Sequence, residues 1–355
     1  MNRLTFALSV VAIAFLLGCE ESPTEIAGDT APLFKKGGKP GGGGGGPADP
    51  AIAFRSNGTL RVMNADGSNS TVVVTDFGSG LAWSPLGDGS ATAPYRIVFE
   101  LGGGPLATVA ITTPAEGGIV ATLPSTIVAT TTRGFTYSGR PAWSPDGSRI
   151  AFNANTGEVC DNGEGQGEFD LWTMSVVSTP DGVEGSDLKR HTYNCDNYVF
   201  VWGSSWSPDG NAIAFREEGG GTTAIKILHM DDGSIETAFD AAWLPEISTV
   251  RDPDWGRDET EPKLVFTAIR MKAGRKHPEL VWAVYTLPLQ KDEAGHYSKA
   301  GLPVWEVDGR RPSWSPDDRY FVMDGVTVYE VATGRTTRLA RGEMADWRRP
   351  DPSTP

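Results

Sequence analysis

The stretch RPAWSPDGSRIAF, residues 140–152, sets two short apolar runs on either side of Ser-Pro-Asp-Gly, and the chain repeats it. SSWSPDGNAIAF follows at 204–215 and RPSWSPDDRYFV at 311–322, with the same Trp, turn and apolar close. Pro at the second and Gly at the fourth position suit a type I turn, so each copy reads as a β-hairpin. A repeated hairpin buries its apolar face only against the next copy, which confines the chain to a stacked, sheet-built repeat architecture.

Anchoring on the Trp gives six cognates: Trp83, Trp143, Trp206, Trp255, Trp314 and Trp347. Their mean spacing is about 53 residues, longer than a compact four-stranded blade needs, so some connections must be long. A second apolar run follows five of them, RIVF 96–99, RIAF 149–152, AIAF 212–215, KLVF 263–266 and RYFV 319–322. The sixth, absent after Trp347, stands instead at the start of the folded region as AIAF 51–54. Every unit adds a third run and a weaker fourth, and nothing from residue 51 onward sustains a helical period. The expected fold is all-β, a six-bladed β-propeller closed by a blade shared between the N- and C-termini. Closure of this kind removes exposed sheet edges. The Trp is expected to fill the gap between blades.

WSPDG..IAF resembles the PD40, WD40-like repeat of TolB-like six-bladed propellers, over residues 51–347. The units around Trp83 (WSPLGDGSATAPYRIVF), Trp255 (WGRDETEPKLVF) and Trp347 (WRRP) depart from it. The same repeat occurs in propeller domains of some prolyl-type peptidases, so the resemblance implies a fold and not TolB's role. The resemblance is expected to extend to the propeller alone, with a tether in place of TolB's α/β amino-terminal domain and no hydrolase domain after the repeats.

Residues 1–18 read as a signal peptide: Arg3, then an apolar run from Leu4 to Leu17, shorter than the roughly 20 residues of a membrane-spanning helix. The run ends in LLGC, Leu16 to Cys19, which resembles the bacterial lipobox and implies a lipidated Cys19; Glu20 after it implies sorting to the outer membrane. Residues 19–50, the lipidated Cys followed by a Gly-rich stretch, have too little apolar surface to fold and read as a tether with an end-to-end distance of about 30 Å. The propeller is expected over 51–349, with 350–355 a disordered tail. The expected location is the bacterial cell envelope, with the propeller in the periplasm or at the cell surface. Cys160 and Cys195 then form an even pair in a compartment where a disulfide can persist.

A net charge of −14 argues against nucleic acid and anionic lipid as general partners. After residue 50 there is no G-x-S-x-G, HExxH, Walker A or CxxC motif, and no catalytic residue is assigned. His191, His229, His277 and His296 fall in separate segments, which predicts scattered residues and no metal site; metal-dependent sugar-lyase propellers gather several His at the channel. The acidic run 160–170 offers Asp161, Asn162, Glu164 and Glu168 to Ca²⁺, but its spacing misses the EF-hand pattern and a solvated loop is expected.

Propeller topology puts the long segments 123–139, 153–168, 193–203, 239–253 and 267–279 on one face and the Ser-Pro-Asp-Gly turns on the other. Loops grown on one face suggest a presented surface. Positions three and four before each Trp enter the innermost strand and include Arg140, Arg251, Asp252, Arg310, Arg311 and Glu343. The residues after the second runs are Arg55, Glu100, Asn153, Arg216, Thr267 and Met323. Arg55, Arg140, Arg216, Arg251, Arg310 and Arg311 therefore stand against three carboxylates at the expected channel mouth. The reading is a monomeric, non-catalytic binding scaffold for an envelope protein segment or small anionic ligand, with no cofactor. The alternative is a lactonase-like or sugar-acting propeller with a channel-bound cation.

Overall fold

The structure, a computed structural model, describes residues 48–102, 104–156, 169–193, 199–274 and 277–349. Cys19, Cys160, Cys195 and the four candidate Ca²⁺ ligands lie outside the described residues. The strands form six antiparallel sheets, each a blade with its first strand innermost. Blade 1 joins Glu343–Trp347 to Pro50–Ser56, Thr59–Asn64 and Thr71–Val74, so the ring closes with strands from both ends of the chain as expected. Ile52 pairs Trp347 and Arg55 pairs Glu343 across this seam. Blades 2 to 6 follow in sequence order, beginning with Ser79–Trp83, Tyr137–Trp143, Phe200–Trp206, Ile247–Trp255 and Ser313–Trp314. Among the described residues no helix is long and apolar enough to cross a membrane.

The core is divided by the repeat. Six buried apolar clusters occur, one at each blade-to-blade interface, such as Ala142, Ala151 and Leu171 of blade 3 against Trp206, Ile213 and Phe215 of blade 4. The six repeat Trp residues are at most 7% exposed, and Trp206 donates from Nε1 to the Ala142 carbonyl of the preceding blade at 3.1 Å. The turn residues are structural. Ser144 Oγ donates to Asp146 Oδ1 at 2.5 Å and accepts from the Arg149 amide at 2.9 Å; Ser207 with Asp209, and Ser315 with Asp317, repeat the arrangement. Local hydrogen bonds of this type hold a turn shut and leave its polar atoms spoken for.

Two readings need correcting. Segment 267–279 belongs largely to a long hairpin in blade 5, Lys263–Lys272 against Glu279–Lys291, paired out to Lys272 and Glu279. In blade 6 the partner of Trp314 is Phe321, where other blades have Ile or Leu, so Asp324 rather than Met323 occupies the place equivalent to Glu100 and Arg216.

Candidate functional site: the channel mouth

Every inner strand carries the same irregularity. The third residue before each Trp, namely Gly80, Arg140, Gly203, Asp252, Arg311 and Met344, has a positive φ between 51° and 57°. A left-handed residue in a strand makes a bulge that bends the strand, and the six together form a ring around the channel. Non-glycine residues pay about 1–2 kcal/mol for this conformation, yet four of the six positions carry side chains. Each bulge is supported from the preceding blade where a side chain can reach its amide: Asn153 Oδ1 accepts from Gly203 N at 2.8 Å, Thr267 Oγ1 from Arg311 N at 2.8 Å, and Asp324 Oδ1 from Met344 N at 2.8 Å. At Gly80 a Cβ would lie 2.9 Å from the backbone nitrogen of Arg140, so only glycine fits.

This ring lines a cavity of about 130 Å³ that also touches Pro141, Ser204, Pro253, Pro312 and Ser313. Of the six expected arginines, Arg140 and Arg311 line it directly. Arg140 reaches Asp252 Oδ1 at 3.5 Å, a loose contact. Arg311 is held by Asp324 at 3.1 Å and Glu343 at 3.0 Å. Burial works against its charge, but Asp324, Asp252 and Glu343 outweigh burial and keep the guanidinium above its usual value. Arg55 pairs with Glu343 at 3.1 Å, Arg310 with Asp324 at 2.6 Å, and Arg216 with Glu218. Arg251 differs from all of these. It stacks 4.8 Å over the Trp282 ring and forms no hydrogen bond or ion pair among the described residues, and its Nε is buried without an acceptor.

Five carboxylates, not three, stand near the six arginines, since Glu218 and Asp324 join Glu100, Asp252 and Glu343, and four of them pair with an arginine. Glu100 does not serve an arginine: it accepts from Ser79 Oγ and, at 2.6 Å, from Tyr137 Oη. The surplus positive charge is therefore local. Burial lowers the affinity of both Arg216 and Arg251 for their protons; the charges of Glu218 and Asp252 oppose it, and the neighbouring arginines add to it. The Nε of Arg216 and Oδ2 of Asp252 also lack partners among the described residues. Beside them stands an aromatic wall, with Phe169 and Trp202 4.3 Å apart and Tyr137 5.0 Å from Phe169. Phe200, Trp202, Glu218 and the Gly219 to Gly221 turn border a groove of about 710 Å³.

Deeper in the channel, toward the turn face, the blades are tied together by carboxylates that border a second cavity of about 140 Å³. The residue before each Trp is Ala82, Ala142, Ser205, Asp254, Ser313 or Asp346. Asp254 accepts from Ser205 Oγ of blade 4 at 2.9 Å and from the Trp314 amide of blade 6 at 2.8 Å. Asp346 does the same between Ser313 Oγ, 2.8 Å, and the Trp83 amide, 3.1 Å. Each carboxylate thus ties three successive blades. Arg349 enters from the turn face, and its Nη2 donates to both oxygens of Asp254 while Nη1 donates to the Trp255 carbonyl at 2.8 Å. Burial, with Asp254 adding to it, raises the Asp346 carboxyl to about 6 despite the opposing field of Arg349.

The histidines are not all scattered. His191 bonds Thr173 at 2.8 Å and burial holds it at about 4, whereas His229 and His296 come together from neighbouring blades.

No protein-family model matches this chain, and no curated protein does. Among solved structures, TolB from Acinetobacter baumannii is similar with a TM-score of 0.51 and 17% identity, over 84% of this chain and 66% of that one, so the chain spans just under two thirds of that protein. A putative TolB from Agrobacterium tumefaciens gives 0.51 and 14%, over 83% and 91%. The periplasmic gluconolactonase of Pseudomonas aeruginosa gives 0.43 and 10%, over 84% and 99%. At such identities the TolB likeness speaks for the fold, a TolB-like six-bladed propeller, and not for chemistry.

Proposed function

We propose that this protein is a binding propeller of the bacterial envelope, anchored through a lipid on Cys19 and a Gly-rich tether, whose channel mouth takes a carboxylate-bearing protein segment or small anion. The observation that carries the reading is Arg251, a guanidinium that makes no ion pair among the described residues, set among Arg140, Arg216 and Arg311. Concentrating like charge where water is partly excluded costs stability. A carboxylate ligand would offset that cost by accepting paired N–H bonds from a guanidinium fork. The aromatic wall of Phe169 and Trp202 gives the apolar part of such a segment a surface to lie on.

The channel interior supports a binder over an enzyme that works through a channel-bound cation. Its two deep carboxylates are already engaged, Asp254 by Arg349, Ser205 and a backbone amide, and Asp346 by Ser313 and a backbone amide. The test is fluorescence anisotropy with acidic peptides bearing a free C-terminal carboxylate, against their amidated, neutral counterparts. Arg140→Ala with Arg251→Ala should weaken binding of the acidic set by at least about tenfold and leave the melting temperature within a few degrees. Undiminished binding by the double variant at physiological salt would remove the mouth from consideration.

A further inference from the structure

The third-to-fourth-strand turns of blades 4 and 5 meet on the face of the Ser-Pro-Asp-Gly turns, away from the mouth. The first turn follows Thr222–His229 and carries Asp231 and Asp232; the second follows Glu279–Lys291 and carries His296. His296 Nε2 lies 3.2 and 3.1 Å from the two oxygens of Asp231, and one ligand atom from each of Asp231, Asp232 and His296 falls within 4.8 Å of the others. Tetrahedral metal–ligand bonds of about 2.0–2.1 Å put neighbouring donors roughly 3.3 Å apart.

Two details set the cluster apart from an ordinary surface ion pair. Its donors come from different blades, and its ring is held in place: the His296 amide donates to Asp292 Oδ1 at 2.8 Å, while the imidazole stacks on His229 with centroids 4.3 Å apart and 22° between planes. His229 is 3% exposed, and its side chain has no hydrogen-bond partner among the described residues.

We propose that Asp231, Asp232 and His296 bind a divalent transition metal, zinc in the first instance, with water completing the shell and His229 packing against the His296 ring. An imidazole among the ligands favours zinc over calcium, which prefers an all-oxygen shell. Bound there, the ion would staple the outer edges of blades 4 and 5, where Lys291 already reaches across to Asp209 at 2.5 Å.

The test is equilibrium dialysis of the full-length protein against zinc, with metal counted by elemental analysis, for the parent, His296→Gln and Asp231→Asn/Asp232→Asn. The parent should hold one more zinc per chain than either variant, and saturating zinc should raise its melting temperature by about 5 °C more. Melting without zinc verifies that the variants fold. Equal zinc content in all three places any bound metal elsewhere, for example on the cysteines, and overturns the proposal. So does displacement of the zinc by equimolar calcium, which would mark a site for hard cations.

Discussion

Arg349, two residues beyond the closing strand of blade 1, donates to both carboxylate oxygens of Asp254 in blade 5, two blades back round the ring. Asp254 is 8% exposed, so removing its partner strands a carboxylate inside the channel. Arg349→Met should cost about 3 kcal/mol, somewhat under the full penalty for breaking a buried pair because the channel admits some solvent, and lower the melting temperature by about 10 °C. Adding Asp254→Asn should restore much of the loss. A single variant that melts with the parent would mean that the pair does not tie these blades together.

Asp346 makes stability depend on pH in an unusual direction for a carboxylate. Its folded-state value of about 6 lies above the ordinary 3.8, so between these values the folded state keeps a proton that the unfolded chain releases. This group therefore favours folding most at low pH, and that contribution declines as pH rises from about 4 to 6, by up to about 3 kcal/mol. Asp346→Asn removes the titration but leaves an amide where two donors converge, so it should be less stable than the parent at every pH. The gap, read from urea unfolding, should narrow as pH rises from 4 to 7. A constant gap would refute the assignment.

The left-handed ring sets stability against function at Arg140. Glycine occupies the equivalent position in blades 2 and 4, at Gly80 and Gly203, with matching φ. Arg140→Gly should leave stability unchanged or raise it by up to about 1 kcal/mol, while acidic peptides lose affinity. A large destabilisation would show that the side chain is there for packing.

Cys160 and Cys195 are expected to be joined, closing a loop of about 35 residues worth up to ~4 kcal/mol in the chain-entropy model. Thiol labelling of the denatured, unreduced protein should then find neither residue free, and two labelled cysteines there would disprove the bond. Cys19→Ser should release the protein from membranes or leave its signal uncleaved; unchanged membrane fractionation at mature length would be inconsistent with lipidation.

The fold was legible because one hairpin, Trp-Ser-Pro-Asp-Gly with its apolar close, recurs with its spacing intact, and the missing run after Trp347 reappears at residue 51. The site was legible only in part. In RYFV the apolar Tyr320 stands where Arg149 and Ala212 stand elsewhere, so apolarity alone places the last strand one residue early. A one-residue slip turns every side chain to the other face, and it hid Asp324, the partner of Arg310 and Arg311. Counting ten residues on from Trp143, Trp206 and Trp314 reaches Asn153, Arg216 and Asp324. The girdle of Ser205, Asp254, Ser313 and Asp346 was likewise present as a Ser/Asp alternation one place before Trp, visible once the six units are aligned. Arg251 on Trp282, and His229 on His296, depend on how neighbouring blades lie side by side. No periodicity along a single chain carries that information.

The seam of blade 1 also sets the order of assembly. Arg55 and Glu343, ion-paired at 3.1 Å, are 288 residues apart. At 5–20 residues per second, roughly 15 seconds to a minute of synthesis separates them. Throughout that interval the first three strands of blade 1 have no inner neighbour, and their unpaired backbone edge is open to other chains. The ring is therefore an all-or-none product. A chain interrupted just before Glu343 carries five complete blades and three strands of blade 1 and still cannot close, so loss of the last few residues leaves an open ring exposed to proteolysis.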